Sequence, residues 1–363
     1  MKKPVLATSI PPRAIAAPDS EDAQRILVAL QSFDANGYDI VSVRRQSEAE
    51  PRLDGVSMRS VVGSSEGFFA HKYGPSFADI FHLARSAPVA AVVNSDIFMI
   101  PCGAVDYLRT KNRTIVASRR IDVARLGGDF EGVYNLGIDG LFFSPDIDLS
   151  PFENEPFASF QLGAPFWDIV IPLVLSFHFD LEFSVPPVLL HAIHPQNWQQ
   201  EDYRGLRRKA VEITVDYARR VENQSARAAQ FLRGLETYCP NFGDAPSKKE
   251  IKRAATYMNA FLQSIETGSS ADLNPDMNHP YVRACVNYVF SIDSDHVNAA
   301  RLLARYYASD YGSVKIAHFV VRTFLRVRRI VLKRREVADA LLTSADAVAL
   351  RPPPIRGGLK HDL

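Results

Sequence analysis

The sequence Val89-Ala-Ala-Val-Val-Asn-Ser-Asp-Ile97 is an apolar run that ends abruptly in polar residues. Its length and its β-branched residues are typical of a buried strand, and Pro88 marks a boundary in front of it. A strand that ends at Asp96 places a carboxylate at the carboxyl edge of a sheet, where open α/β proteins bind their ligands. The alternative is that Asn94, Ser95 and Asp96 only cap the turn or helix that follows.

Predicted strands and helices alternate on both sides of this run. Residues 4–10 and 38–43 have the pattern of strands, and residues 20–36 have the apolar spacing of a helix between them. Such a β-α-β unit implies parallel strands. Further elements are predicted as strands at 55–63, 114–120, 140–144 and 185–193, a helix at 77–84, and a segment at 167–177 that periodicity leaves open between helix and strand. The order predicts an α/β protein with a Rossmann-type open sheet over residues 1–202.

A helical region is predicted after the sheet. The expected helices cover residues 203–235, 248–265, 281–290, 296–309 and 314–342. We therefore predict a helical domain at 203–350 and a flexible tail at 351–363. Residues 314–335 combine an apolar stripe with a basic stripe, which is the pattern of a helix that contacts an anionic membrane surface. The alternative is a helix that packs on its own domain with a solvated basic face.

The composition is that of an ordinary globular protein. The chain has 363 residues, 47% of them hydrophobic and 23% charged, and its net charge of +1 provides no general attraction for nucleic acid. Three cysteines without CxxC spacing argue against a disulfide framework or a zinc site, and for a reducing compartment. No apolar run reaches the ~18 residues that a membrane span needs. We therefore expect a cytoplasmic protein, with peripheral contact at the inner face of the membrane if residues 314–335 bind lipid.

Several common catalytic motifs are absent from the sequence. It contains no GxGxxG after a predicted strand, no GxxxxGK[ST] and no HExxH. The sequence therefore gives no support for dinucleotide-dependent redox chemistry, P-loop hydrolysis or zincin proteolysis.

Two histidines close the last predicted strand, in His191-Ala-Ile-His194-Pro-Gln-Asn-Trp198. Residues three apart in a strand point to opposite faces, so both histidines cannot easily bind one ion, and His194, at the strand end, is the better candidate for a metal ligand. Trp198 is a candidate for stacking on a base or a sugar. The alternatives are a structural histidine and a core tryptophan.

Further candidates are charged residues beside glycine or aromatic residues. In Phe160-Gln-Leu-Gly-Ala-Pro-Phe-Trp-Asp168 an aromatic ring precedes a carboxylate, which suits a sugar site in which Asp168 takes a proton from an acceptor hydroxyl. Asp139, beside Gly140, can approach a ligand closely, and Arg119 can bind phosphate or a site carboxylate. The alternatives are a helix N-cap for Asp168, and an ordinary turn and ion pair for Asp139 and Arg119.

Taken in order, these motifs resemble those of glycosyltransferases of the GT-A type. The resemblance covers residues 6–198 and is carried by Thr8-Ser9-Ile10-Pro11-Pro12-Arg13, Asn94-Ser95-Asp96, Arg119 with Asp122, Gly137-Ile138-Asp139-Gly140, residues 160–168, and His194 followed by Pro195 and Trp198. The chain resembles bacterial glycosyltransferase-like proteins of surface polysaccharide assembly, with Asn-Ser-Asp in the place of the DxD motif. The resemblance implies a GT-A-like fold. It also implies transfer of a sugar from a UDP- or GDP-linked donor to a hydroxyl of a glycan or lipid-linked acceptor.

The resemblance implies roles for individual residues. Asp96 and His194 would hold Mn²⁺ or Mg²⁺, and Asp168 and Asp139 would be catalytic. The implied nucleotide-sugar-binding residues are Thr8, Ser9, Ile10, Arg13, Asn94, Ser95, Asp96, Arg119 and Trp167. Because Asn94 replaces the first aspartate of DxD, the alternative is a non-catalytic scaffold with a basic helical interaction module, and a nucleotidyltransferase is a third reading.

Overall fold

The computed structural model describes residues 2–63, 75–125, 128–134, 137–154, 157, 160–194, 200–243 and 245–285. Contacts between Cα atoms divide the chain into the units Met1–Pro275 and Asp276–Leu363. The helices predicted at 296–309 and 314–342 and the tail at 351–363 lie outside the described residues, and the helix at 281–290 is described only as far as residue 285. The predicted division into domains 1–202 and 203–350 stays a prediction.

The described elements follow the predicted alternation in its main features. The strands are β1 (Val5–Thr8), β2 (Asp39–Arg44), β3 (Met58–Val62), β4 (Ala90–Val93), β5 (Ile97–Met99), β6 (Thr114–Ser118), β7 (Arg120–Val123), β8 (Phe130–Val133), β9 (Gly140–Phe143), β10 (Asp180–Ser184), β11 (Leu189–Ala192) and β12 (Ser270–Ala271). The helices are α1 (Pro12–Ala16), α2 (Glu21–Ala35), α3 (Phe77–Arg85), α4 (Ala104–Arg109), α5 (Trp167–Leu175), α6 (Gln200–Val221), α7 (Ala226–Tyr238) and α8 (Lys248–Gly268), with a 3₁₀ turn at Ser150–Phe152. None of the helices in the described part of the chain has the length and apolar character needed to cross a lipid bilayer.

The larger sheet has eight strands in the order β12-β10-β6-β9-β4-β1-β2-β3. Its neighbouring strands are parallel except at β9, which runs antiparallel to both β4 and β6. Ala90 and Val92 of β4 belong to the core that contains α3 and α5, whereas Ala91 and Val93 belong to the core that contains α2. A strand that is buried on both faces has no polar alternation, which explains the continuous apolar run at 89–93.

This architecture confirms the predicted α/β class, with a Rossmann-type open sheet followed by the helices α6, α7 and α8. The ambiguous segment at 167–177 is a helix, α5. The helix predicted at 203–235 is two helices, because Ser225 accepts a hydrogen bond from Ala228 N and thereby starts α7. The strand predicted at 185–193 begins only at Leu189, and β10, which precedes it, was not predicted.

The smaller sheet has four strands in the order β5-β11-β7-β8. The strand predicted at 114–120 is divided between the sheets, because β6 ends at Ser118 in the larger sheet and β7 begins at Arg120 in the smaller one. Successive side chains of an extended chain point to opposite sides, so Arg119 and Arg120 face different surroundings.

Candidate functional site

Three strand ends of the larger sheet meet at one edge. β4 and β6 run in the same direction, since each is antiparallel to β9. The first residue of β9, Gly140, therefore pairs with the last residue of both strands. The chain delivers Asp96 shortly after β4, Arg120 shortly after β6 and Asp139 just before β9, so charged residues far apart in the sequence arrive at the same place.

The Asn94-Ser95-Asp96 segment is a turn between two strands and does not cap a helix. The backbone N of Ile97 donates to the carbonyl O of Asn94 at 3.2 Å, and β5 starts at that residue. Ile97 pairs with His191 of the antiparallel strand β11. Asp96 directly precedes the residue that pairs with His191. The pairing of β5 with β11 therefore brings a histidine from far along the chain close to Asp96.

Asp96 and two histidines form the first part of the site. Nε2 of His194 lies 2.9 Å from Oδ2 of Asp96, and Nε2 of His191 lies 3.8 Å from the same oxygen. The three candidate ligand atoms lie within 4.8 Å of one another. Burial by itself raises the pKa of Asp96, but the hydrogen bond with His194 and the charges of both imidazoles outweigh it and hold that pKa below its ordinary value. Asp96 is therefore an ionised carboxylate next to two nitrogens that can share a cation with it.

The expectation that the side chains of His191 and His194 point to opposite faces is wrong, because both imidazoles lie beside Asp96. Strand β11 ends at Ala192, and Ile193 makes a further ladder hydrogen bond from its N to the carbonyl O of Val123 at 2.9 Å. Beyond that point the two-residue alternation of a strand no longer applies, and the two imidazole centroids lie 5.1 Å apart. His191 is missed from the sequence because the alternation of a strand is applied to His194, which lies beyond the last ladder hydrogen bond.

A chain of charged groups connects this cluster with Asp139. Asp122 pairs with His191 across β7 and β11, and its Oδ1 lies 3.3 Å from Nδ1 of that histidine. Arg120 donates from Nε to Oδ1 of Asp122 at 2.8 Å and from Nη1 to Oδ1 of Asp139 at 2.7 Å. Although burial opposes it, the hydrogen bonds from His191 and Arg120 lower the pKa of Asp122. Arg120 makes these contacts, and not Arg119, the arginine predicted from the sequence to bind phosphate or a site carboxylate.

Asp168 is a second carboxyl group beside Asp139. It lies in the first turn of α5, where Phe166 is the N-cap residue, so the alternative role of Asp168 as an N-cap is wrong. Burial and the charge of Asp139 raise the pKa of Asp168 to about 7. Asp139 is 2% exposed, and its Oδ2 has no hydrogen-bond partner among the described residues. Together they form a carboxyl pair in which Asp168 can take up and release a proton near neutral pH.

Gly137 leaves the space that Asp168 occupies. A Cβ atom added at Gly137 would lie 2.0 Å from Oδ2 and 2.8 Å from Cβ of Asp168. We expect Gly137→Ala to displace Asp168 and to lower the free energy of unfolding by about 1–3 kcal/mol, as overpacking does. Gly205→Ala is the matched control, because an added Cβ meets nothing within 4 Å there and alanine favours the helix α6. Chemical denaturation measures both variants, and equal stability of Gly137→Ala and the wild type would contradict this packing.

The side chains of Arg119 and Trp167 are enclosed by the protein itself. Arg119 is 5% exposed and binds the carboxylate of Glu266 through Nε at 2.9 Å and Nη2 at 2.7 Å. Trp167 is buried, and its ring centroid lies 5.7 Å from that of Phe77. Protein groups therefore surround both side chains, and their role in binding a nucleotide-sugar stays a prediction. Trp198, predicted to stack on a ligand, lies outside the described residues, as does Pro195.

The end of β1 carries the remaining predicted donor-binding residues. Oγ1 of Thr8 donates to the carbonyl O of Val93 at 2.8 Å, and N of Ile10 donates to Oγ of Ser42 at 3.2 Å. Thr8 and Ile10 are buried, whereas Ser9, between β1 and α1, is half-buried. The first contact holds the end of β1 against the end of β4 and the second holds the following residues against β2, on the edge of the sheet that also carries Asp96.

A charged group from α1 and α2 lies beside the cluster. Asp22 pairs with the predicted Arg13 at 3.0 Å and with Arg25 at 2.6 Å. Arg25 is 8% exposed, its Nε has no partner among the described residues, and its positive charge acts on Asp96. Arg25 was not predicted from the sequence, where its signal is a basic residue on the otherwise apolar face of an amphipathic helix.

No protein-family model and no curated protein sequence matches this chain. Similar solved structures include a mannosyltransferase, PcManGT from Pyrobaculum calidifontis in complex with GDP-Man and Mn²⁺, at 14% identity over 91% of this chain and 87% of that chain, with a TM-score of 0.35. The 4-diphosphocytidyl-2C-methyl-D-erythritol synthase from Anaerococcus prevotii shares 10% identity over 58% of this chain and 95% of its own, with a TM-score of 0.29. HddC from Yersinia pseudotuberculosis shares 11% identity over 56% of this chain and 97% of its own, with a TM-score of 0.28. At TM-scores this low, these similarities assign no activity to the chain.

Proposed function

We propose that the protein is a transferase of the GT-A type that moves a sugar from a UDP- or GDP-linked donor to a hydroxyl of a glycan or lipid-linked acceptor. The observation that carries the proposal is the series of polar contacts from Asp96 through His191, Asp122 and Arg120 to Asp139, whose charge raises the pKa of Asp168. Such a transfer needs a centre that stabilises a leaving diphosphate and a base for the acceptor within one site. The described residues include groups suited to both tasks.

Asp96 and His194 are proposed to hold Mn²⁺ or Mg²⁺. When bound, such an ion neutralises the charge that develops on the leaving diphosphate. The residues fit this group, because an ionised carboxylate oxygen and an imidazole nitrogen 2.9 Å apart are donors that divalent ions accept. A single carboxylate leaves the occupied centre with net positive charge, which favours an anionic donor. Arg25, whose charge acts on Asp96, adds to this field.

Asp168 is proposed as the general base for the acceptor hydroxyl. A base works best when its pKa lies near the working pH, and that of Asp168 is raised to about 7. Asp139 maintains this shift through its own charge and is held in place by Arg120. Burial and the charge of Asp168 raise the pKa of both Tyr134 and Tyr203, so both phenols stay protonated at neutral pH.

The proposed acceptor, a hydroxyl of a glycan or of a lipid-linked molecule, is inferred from the sequence alone. Residues 314–335, predicted to contact a membrane surface, lie outside the described residues. Membrane contact at the inner face and a cytoplasmic location therefore stay predictions.

A thermal-shift screen of nucleotides tests the proposed function. We expect GDP or UDP with Mn²⁺ to raise the melting temperature, with a stabilisation of about 2.7 kcal/mol at a ligand concentration of 100 Kd. Incubation with a UDP- or GDP-sugar and a hydroxyl acceptor is expected to release nucleoside diphosphate. Release of pyrophosphate from a nucleoside triphosphate and a sugar phosphate would instead identify a nucleotidyltransferase. No shift with any nucleotide, with or without metal, would contradict the proposal and favour the non-catalytic scaffold.

A further inference from the structure

The chain has Asn94 where a DxD motif has its first aspartate, and it brings His191 to Asp96 from another strand. Nε2 of His191 and Nε2 of His194 lie 3.8 Å and 2.9 Å from Oδ2 of Asp96. Donor atoms bound at about 2.1 Å to one ion lie about 3.0–3.4 Å apart when adjacent and about 4.2 Å apart when opposite. The observed 2.9 Å is close to the separation of adjacent ligands, and 3.8 Å lies between the adjacent and the opposite separations. Small side-chain movements are therefore enough to bring all three atoms onto one ion.

We infer that Asp96, His191 and His194 form a three-ligand metal centre in which Asp122 is the positioning residue for His191. For its role in the reaction the inference rests on the proposed function, whereas its metal chemistry does not. Two imidazoles and one carboxylate suit first-row transition ions such as Mn²⁺, Co²⁺ and Zn²⁺, whereas Mg²⁺ prefers oxygen ligands. The centre therefore selects a transition ion over Mg²⁺, and His191 compensates for the carboxylate that Asn94 lacks.

The smaller sheet sets the orientation of His191. Because Asp122 and His191 are register partners, Oδ1 of Asp122 faces Nδ1 of the imidazole at 3.3 Å. The tautomer that carries its proton on Nδ1 donates to this carboxylate and leaves the lone pair of Nε2 available on the side of Asp96. Arg120 donates to the same Oδ1 at 2.8 Å and so holds Asp122 from the other side. Loss of Asp122 should weaken metal binding although no ligand is removed.

Isothermal titration calorimetry of the whole chain, treated with a chelator and free of nucleotide, tests the ligand set. We expect the wild type to bind one Co²⁺ or Mn²⁺ per chain and to bind Mg²⁺ at least about 100-fold more weakly. His191→Gln and His191→Ala are each expected to lower the Co²⁺ affinity by at least about 10-fold. His82→Ala is the matched control, because His82 is 65% exposed and lies 3.7 Å from Glu153. Its Co²⁺ affinity should equal that of the wild type.

Asp122→Asn tests the positioning role. We expect about 10–100-fold weaker Co²⁺ binding, together with a changed visible absorption spectrum of the bound Co²⁺, which a purely structural residue would leave unaltered. Asp122→Glu, which keeps the carboxylate, should recover part of the affinity. Circular dichroism of each metal-free variant confirms that the chain is folded.

Three results would overturn the inference. They are equal affinities for Mg²⁺ and Co²⁺, unchanged Co²⁺ affinity in both His191 variants, and no bound metal at all, in which case the three side chains form only an ion-paired cluster. Failure of the proposed function is detected separately, in the thermal-shift screen with GDP or UDP, because the titration contains no nucleotide. A chain that binds Co²⁺ as expected but neither GDP nor UDP would keep the metal centre and lose the transferase.

Discussion

Asp96→Ala is expected to abolish metal-dependent sugar transfer. The substitution removes the carboxylate that lies 2.9 Å and 3.8 Å from the two imidazole nitrogens, so the proposed ion loses its negatively charged ligand. We expect the Mn²⁺ affinity to fall by at least about 100-fold and the transfer rate by about 10³-fold, the size of effect that several kcal/mol of lost charge stabilisation produces. Steady-state kinetics with a UDP- or GDP-sugar across a Mn²⁺ titration measures both quantities.

Asp106→Ala is the matched control for this experiment. The side chain of Asp106 is 89% exposed on α4 and lies 3.5 Å from Arg109, and surface ion pairs of this kind contribute about 0–1 kcal/mol. We expect unchanged metal affinity and unchanged transfer in this variant. A folded Asp96→Ala chain with wild-type transfer would contradict the placement of the diphosphate centre.

Asp168→Asn is expected to lower the transfer rate by about 10²–10⁴-fold, the usual contribution of a general base. The amide cannot accept a proton from the acceptor hydroxyl. Because burial and Asp139 raise the pKa of Asp168 to about 7, wild-type activity should rise as the pH passes through about 7 and the carboxylate forms. The residual activity of the variant should lack this rise. A pH–rate profile of both proteins at saturating donor is the measurement, and an identical profile would exclude Asp168 as the base.

The same raised pKa has the opposite effect on stability. The folded state binds the proton of Asp168 more tightly than the unfolded state, in which the pKa is the ordinary 3.8. Stability therefore falls as the pH rises from about 4 to about 7, by an amount on the order of 2–4 kcal/mol. The asparagine in Asp168→Asn carries no charge, so the stability of this variant should not fall over this pH range. Its melting temperature should exceed that of the wild type at pH 8 and not at pH 4.

Differential scanning calorimetry at the two pH values measures this difference. Asp106→Asn is the control, because an exposed carboxylate should show little difference between them. Asp168→Asn could instead lower the melting temperature equally at both pH values. That result would show that the carboxyl group stabilises the fold by hydrogen bonding and that its buried charge does not destabilise it. A variant that is more stable and less active would fit a site that retains an unfavourable buried carboxylate for its chemistry.

The fold class was predictable from local pattern. A strand buried on both faces must be apolar at every position, as β4 is, and the turn residues after it mark its end. The boundary errors occur where a strand changes sheet. Residues 114–120 have one continuous β pattern, yet Arg119 lies between β6 and β7. Local periodicity does not distinguish a strand that continues from one that crosses, because both are extended chain.

For the candidate site, the sequence by itself determined which chemical groups are available at strand and helix ends, among them Asp96, Asp139, Asp168 and His194. The tertiary structure alone decided which of them meet. It joined His194 to Asp96 across 98 positions of sequence and brought His191, Asp122 and Arg120 beside them, while it turned Arg119 toward Glu266. The physical reason is that the antiparallel insertion of β9 and the pairing of β7 with β11 are long-range registers. Such registers depend on which strands pair in space, and they leave no mark in the local pattern of any one strand.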